Sequence, residues 1–249
     1  MEIISFINKK GGVSKTTSCS SIGTIMGELG KKVLLIDLDS QGNLTEILGI
    51  NKFKYTMYDC LIKNTPLNDA IINTKFNVDI IPSDLNLSNA EIELLNKSSK
   101  EFILNNSIEK SNLDYDYILI DCLPSLDLLA INALVASNSF IIPLEASILS
   151  VRGLTQLINV VKLIQKKLNP DLKNMGVFLA RVDSRSTLSK NFNSQLKEIF
   201  GDKLFNTIIH QNTALVRSQI EMKPINFYDR NSKGFKEYLE LTKEVLKRG

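Results

Sequence analysis

The chain has 249 residues, 43 % hydrophobic and 23 % charged, which is enough to bury a core and excludes collagen-like, wholly disordered and disulfide-scaffold classes. Thirty basic against 27 acidic residues leave a net charge of +3, a total that by itself speaks against a protein built to coat nucleic acid. It conceals a split, because residues 1–150 carry 12 Lys/Arg against 18 Asp/Glu and residues 151–249 carry 18 against 9.

Apolar runs of strand length alternate with longer segments of helical period. Strands are predicted at Ile3–Ile7, Lys32–Asp37, Val78–Pro82, Tyr117–Asp121, Phe140–Pro143, Met175–Ala180 and Thr207–Ile209, with helices over Thr16–Leu29, Ser88–Glu109, Leu126–Ala136, Val151–Leu168, Leu188–Phe200 and Lys233–Lys247. The expected fold class is therefore α/β, a mostly parallel twisted sheet with helices on both faces. No repeat or Pro-rich linker interrupts the series, so a single domain over 1–249 is expected, with Asn51–Asn77 its least regular part. Cys19, Cys60 and Cys122 follow no metal or disulfide spacing and are read as cytosolic thiols. No run approaches the roughly 18 apolar residues of a membrane span, and the start lacks the pattern of a signal peptide. A cytoplasmic protein is expected.

The first strand leads into Asn8-Lys9-Lys10-Gly11-Gly12-Val13-Ser14-Lys15-Thr16-Thr17 and then a helix. A glycine turn at a helix N-terminus aims backbone N–H groups and the positive end of the helix dipole at one point, which suits a phosphate chain. The strict pattern G-x-x-x-x-G-K-[ST] fails twice, with Lys9 and Ser14 at its two glycine positions. The chemistry survives: Lys15 can reach β- and γ-phosphate oxygens, the Thr16 hydroxyl can ligate Mg²⁺, and Thr17 can meet the α-phosphate. Ser14 must fit a tight turn. The bland alternative is a glycine turn followed by a solvated lysine.

The second predicted strand ends in Asp37-Leu38-Asp39-Ser40-Gln41-Gly42-Asn43. Period two puts Asp37 and Asp39 on one side of an extended chain, where both can approach metal and phosphate. By itself the segment is a strand capped by a turn. Tyr117–Asp121 closes another apolar strand on a carboxylate and continues Cys122-Leu123-Pro124-Ser125. Three stretches thus point at the strand C-termini, the ligand edge of open α/β sheets.

The run Lys10-Gly11-Gly12-Val13-x-Lys15-Thr16-Thr17 resembles the deviant phosphate loop (deviant Walker A) of the ParA/MinD family of ATPases, and the chain as a whole is similar to its ParA/Soj-type partition branch. The resemblance implies a deviant P-loop NTPase that binds ATP and Mg²⁺, with Gly11, Gly12, Val13, Ser14, Lys15, Thr16 and Thr17 around the nucleotide and Asn212 near the adenine. It implies that Lys10 reaches across a nucleotide-sandwich homodimer, that Asp39 orients the attacking water, and that Asp121 at the Walker B position holds Mg²⁺ through water with support from Asp37. Lys10, Lys15 and Asp39 would be the catalytic residues. Ser14 stands where the family has a further glycine, and Leu123 where it has a proline.

The resemblance further implies slow ATP hydrolysis stimulated by a ParB-like centromere-binding partner, and ATP-dependent binding of nonspecific DNA, hence nucleoid association. Arg181, Arg185, Lys190, Arg217, Lys223, Arg230, Lys233 and Lys236 are the candidate DNA cations, with Arg185, Lys190, Arg217 and Lys233 foremost; scattered surface charge is the alternative. The last helix carries Tyr238, Leu241 and Val245 among interspersed acids, so docking on the domain is expected rather than membrane binding. With so short a stretch before the loop, a sequence-specific helix-turn-helix module and operator binding are not expected. A MinD-like membrane-positioning ATPase and a nucleotide-binding scaffold without turnover are the alternatives, separable by liposome binding and by ATPase activity.

Overall fold

The computed structural model describes residues 1–145, 148–183 and 187–249, with the backbone alone described over 148–153 and 187–193. Its strands are β1 (Glu2–Phe6), β2 (Val33–Leu38), β3 (Ile72–Asn73), β4 (Asp79–Ile81), β5 (Tyr117–Cys122), β6 (Ser139–Glu145) and β7 (Lys173–Ala180). They form one sheet in the order β3-β4-β2-β5-β1-β6-β7, in which every neighbouring pair is parallel except β3 with β4. The helices are α1 (Lys15–Glu28), α2 (Asn43–Ile47), α3 (Met57–Ile62), α4 (Leu67–Ala70), α5 (Leu87–Leu94), α6 (Ile103–Lys110), α7 (Leu128–Ala136), α8 (Ile148–Lys167), α9 (Thr187–Phe200), α10 (Thr213–Ile220), α11 (Ile225–Tyr228) and α12 (Lys233–Arg248).

The apolar runs are continuous because the central strands are covered on both faces. Ile4, Phe6, Leu35 and Leu119 enter a core shared with Ile22 and Met26 of α1 and Phe235, Tyr238, Leu241 and Val245 of α12. Their chain neighbours Ile3, Leu34, Ile36, Ile118 and Ile120 enter the opposite core, with α3, α5, α6 and α7. A third cluster packs α7 and α8 on β6 and β7. Helix α1 is buried nearly all round, and Gly27 makes that possible: a Cβ there would lie 2.1 Å from the Asn77 carbonyl oxygen.

Two expectations need correction. Ser88–Glu109 is not one helix: α5 ends at Leu94, Ser99 turns left-handed at φ 51°, and a single 3-10 turn precedes α6. Lys97 is spent there on the Leu61 and Ile62 carbonyls at 2.8 and 2.7 Å. Thr207–Ile209 is not a strand, although Phe205 and Ile209 donate to Val177 and Leu179 of β7. The Glu244 carboxylate captures the Asn206 and Thr207 N–H groups, so no continuous ladder forms. The stretch 51–77, expected to be the least regular, holds only the short α3 and α4 and the two-residue antiparallel edge β3.

Candidate functional site

Beyond β1, the Asn8 side chain pins the turn by donating to Pro143 O at 2.7 Å and accepting from Lys10 N at 3.0 Å. Gly12 and Ser14 then both adopt left-handed conformations, φ 73° and 70°. For Ser14 this costs on the order of 1 kcal/mol relative to glycine. Ser14 precedes α1 without a side-chain cap, and the first turn holds no acidic residue. The leading N–H groups of α1 are therefore an open anion site.

Lys15 is buried and donates to the Asn8 and Lys10 carbonyls at 3.0 and 3.3 Å. Burial lowers its pKa against the pull of Asp121, Cys122 and Asp39. Thr17 accepts a hydrogen bond from Gln219 of α10 at 2.5 Å. Lys10 does not line the cavity; it pairs with Glu145 at the end of β6. Val13 does not line it either, being packed inward at 1 % exposure.

Register puts Asp37 of β2 directly beside Asp121 of β5. Asp37 accepts from Asp39 N at 3.2 Å, Thr45 N at 2.9 Å and Thr45 Oγ1 at 2.7 Å. Those contacts are those of an anchor for the turn leading into α2, and they commit both oxygens. Its pKa is nevertheless raised to about 6, chiefly by burial. Asp121 is fully buried and neither oxygen has a hydrogen-bond partner. Burial and the Asp37 charge push its pKa far up; the Thr16 hydroxyl and the Lys15 ammonium act the other way. Asp39 is 8 % exposed and accepts from Gln41 N at 3.0 Å, so it is positioned by the turn that follows it.

A cavity of about 1000 Å³ opens onto this edge. Gly11, Gly12, Ser14, Lys15, Thr16, Thr17, Asp39 and Gln41 line it from the N-terminal half, and Arg181, His210, Asn212 and Gln219 from the C-terminal half. Asn212 caps α10 by accepting from Ala214 N at 2.8 Å. His210 is held by Glu237 of α12, which accepts from its backbone N–H and contacts Nδ1 at 2.6 Å. Among the described residues no group of three or more His, Cys, Asp or Glu could hold a metal ion. The orphaned Asp121 oxygens do suit a hydrated divalent cation whose other ligands are phosphate oxygens, the Thr16 hydroxyl and water. Cys122 is buried and its thiol pKa is driven up by that burial, which makes it inert.

The expected DNA cations scatter in their fates. Arg185 lies outside the described residues, as does the side chain of Lys190. Arg217 is exposed on α10, whereas Lys233 pairs with Glu237 at 3.4 Å and Arg230 with Glu28 at 3.1 Å. Arg181 is tied to the phosphate loop instead, donating to Gly12 O at 2.8 Å. The contacts of Glu145, Arg181 and Gln219 with the loop carry no local sequence signal, because each partner lies more than a hundred residues away.

A family model described as an AAA domain matches residues 1–174. The sporulation initiation inhibitor protein Soj of Bacillus subtilis is 43 % identical over 100 % of this chain and 99 % of its own length. The chromosome partitioning protein ParA of Caulobacter vibrioides is 36 % identical over 100 % of this chain and 95 % of its own. A solved structure of cobyrinic acid a,c-diamide synthase from Mycobacterium smegmatis, with bound ATP analogue and magnesium, superposes at TM-score 0.87 and 30 % identity, covering 99 % of this chain and 95 % of that one.

Proposed function

Because the chain belongs to the ParA/Soj family of partition ATPases, we propose that it hydrolyses ATP with Mg²⁺ in the cavity between the phosphate loop and α10, as one ATPase domain over 1–249. One observation carries the reading. A buried carboxylate without partners, Asp121, sits in the electrostatic field of the buried Lys15, which itself leads an uncapped helix N-terminus. A metal–triphosphate supplies a cation for the Asp121 oxygens, which accept no hydrogen bond, and an anion for the open N–H groups of α1 with Lys15 beside them.

Gly11 to Thr17 hold the phosphates, with Lys15 neutralising the β- and γ-phosphate charge. Thr16 and Asp121 hold Mg²⁺, which when bound neutralises charge on the terminal phosphates. Asp39 orients the attacking water, and Asp37 holds the turn that carries Asp39. Lys10 leaves Glu145 to reach the phosphates of a second copy, which closes the ATP-sandwich dimer. The closed dimer presents the basic C-terminal half to nonspecific DNA, and hydrolysis, stimulated by a ParB-like centromere-binding protein, releases it. The protein is then cytoplasmic, and nucleoid-associated while ATP is bound.

The test is retention on DNA-coated beads with ATP and Mg²⁺. Lys15→Ala is expected to lose retention, and Asp39→Ala to prolong it at least several-fold while ATP turnover stops. Equal retention of wild type without nucleotide would refute the switch. Wild-type turnover no higher than that of Lys15→Ala would leave a scaffold that binds nucleotide without hydrolysing it.

A further inference from the structure

Two side chains of the C-terminal half grip the phosphate loop and the first turn of α1. Arg181, directly after β7, donates from Nη1 to the Gly12 carbonyl at 2.8 Å, across 169 residues of chain. Gln219, in the last turn of α10, donates from Nε2 to Thr17 Oγ1 at 2.5 Å, across 202 residues. Both line the cavity.

The first contact fixes a direction. A peptide unit is planar with its C=O and N–H opposed, so holding the Gly12 oxygen sets where the Val13 N–H points and, through it, the run of N–H groups that follows. The loop needs such a restraint because Ser14 is held at φ 70°, a conformation that disfavours side chains. Arg181 is itself held at φ 55°, and backbone strain of this kind persists only where surrounding contacts over-determine it. The second contact fixes a side chain. A hydroxyl has one hydrogen and two acceptor sites, so the bond to Gln219 holds the Thr17 hydroxyl in one place at the cavity and leaves part of its hydrogen-bonding capacity for a ligand there.

We propose that Arg181 and Gln219 are positioning residues of the nucleotide site, Arg181 setting the turn that meets the β-phosphate and Gln219 the hydroxyl that meets the α-phosphate. The inference rests on the nucleotide reading above and adds that phosphate recognition is divided between two braces with separable effects.

Calorimetric titration of the full chain with adenosine, AMP, ADP and ATP in the presence of Mg²⁺ tests this division. Arg181→Met is expected to weaken ADP and ATP by about tenfold, the worth of one charge-assisted hydrogen bond, while leaving AMP and adenosine within about twofold. Gln219→Leu is expected to weaken AMP, ADP and ATP alike, by roughly fivefold, and to spare adenosine. Adding Ser14→Gly to Arg181→Met is expected to restore most of the loss, since a glycine occupies the left-handed turn without the brace; a mere loss of charge would be indifferent to residue 14. An equal loss on all four ligands, no loss, or no rescue by Ser14→Gly overturns the proposal. A wild-type chain with no affinity for ADP or ATP overturns the nucleotide reading itself, and this inference with it.

Discussion

Asp121 shows how much one side chain determines here. It is fully buried, lies in register with a second buried carboxylate and has no hydrogen-bond donor. Burial already favours the neutral carboxyl of Asp121, so the neutral, equally sized Asp121→Asn is expected to leave the stability of the nucleotide-free protein at pH 7.5 within about 1 kcal/mol. The same variant is expected to lose the stabilisation that Mg²⁺ with nucleotide gives the wild type, and paired thermal melts check both. Asp37 adds a pH dependence. Its pKa is raised to about 6 in the fold, against about 3.9 in an unfolded chain. Its contribution is therefore fully present below about pH 3.9 and is lost as pH rises through about 6. Asp59, Asp114 and Glu244 are shifted down, so their contributions are lost only as pH falls through their own lowered values. The nucleotide-free melting temperature is expected to fall between pH 5 and pH 7, and a rise over that interval would contradict the assignment. The identities of Asp37 and Asp121 were legible from their place at strand ends. Their division of labour was not, because what separates an anchor from an orphan is whether Thr45 comes back to meet Asp37.

At the scale of elements, α1 joins the phosphate loop to the core, and α12 holds it there. Ser18 and Tyr238 share a buried hydrogen bond of 3.0 Å across the pair. Gly27→Ala would push a methyl group against the Asn77 carbonyl, and overpacking of this kind is expected to cost about 1–3 kcal/mol, read as a shift of the urea midpoint. Periodicity identified α1 and α12 and most of the strands because each buries a face or a run that repeats within a dozen residues. It misjudged Ser88–Glu109, where a continuous apolar pattern spans a Ser-Ser break, and Thr207–Ile209, where the deciding partner is Glu244 some 37 residues onward.

For the whole molecule, the modest net charge conceals an acidic half bearing the phosphate loop and a basic half bearing the candidate DNA cations. Backbone-phosphate binding needs only a positive face, and its affinity falls with salt. Retention on DNA in the presence of ATP is expected to drop at least tenfold between about 50 and 200 mM salt, measured on beads at fixed nucleotide. Helix α12 turns Phe235, Tyr238, Leu241 and Val245 into the core, and no helix of the described residues is long and apolar enough to cross a membrane. Liposomes of anionic lipid are accordingly expected to pellet no more protein with ATP than without it.

What the sequence determined by itself was local: the glycine turn before a helix, the acids at the ends of buried strands, the alternation that makes a covered parallel sheet, and the charge split. Each follows from steric and hydrophobic rules that act over about ten residues. Only the tertiary structure decided which groups meet: Asp37 beside Asp121, Lys10 on Glu145, Arg181 on Gly12 and Gln219 on Thr17. The physical reason is that crossover connections place strands out of chain order, β5 between β2 and β1 and β6 beyond β1, so the partners at the shared edge are chosen by sheet order and not by spacing along the chain.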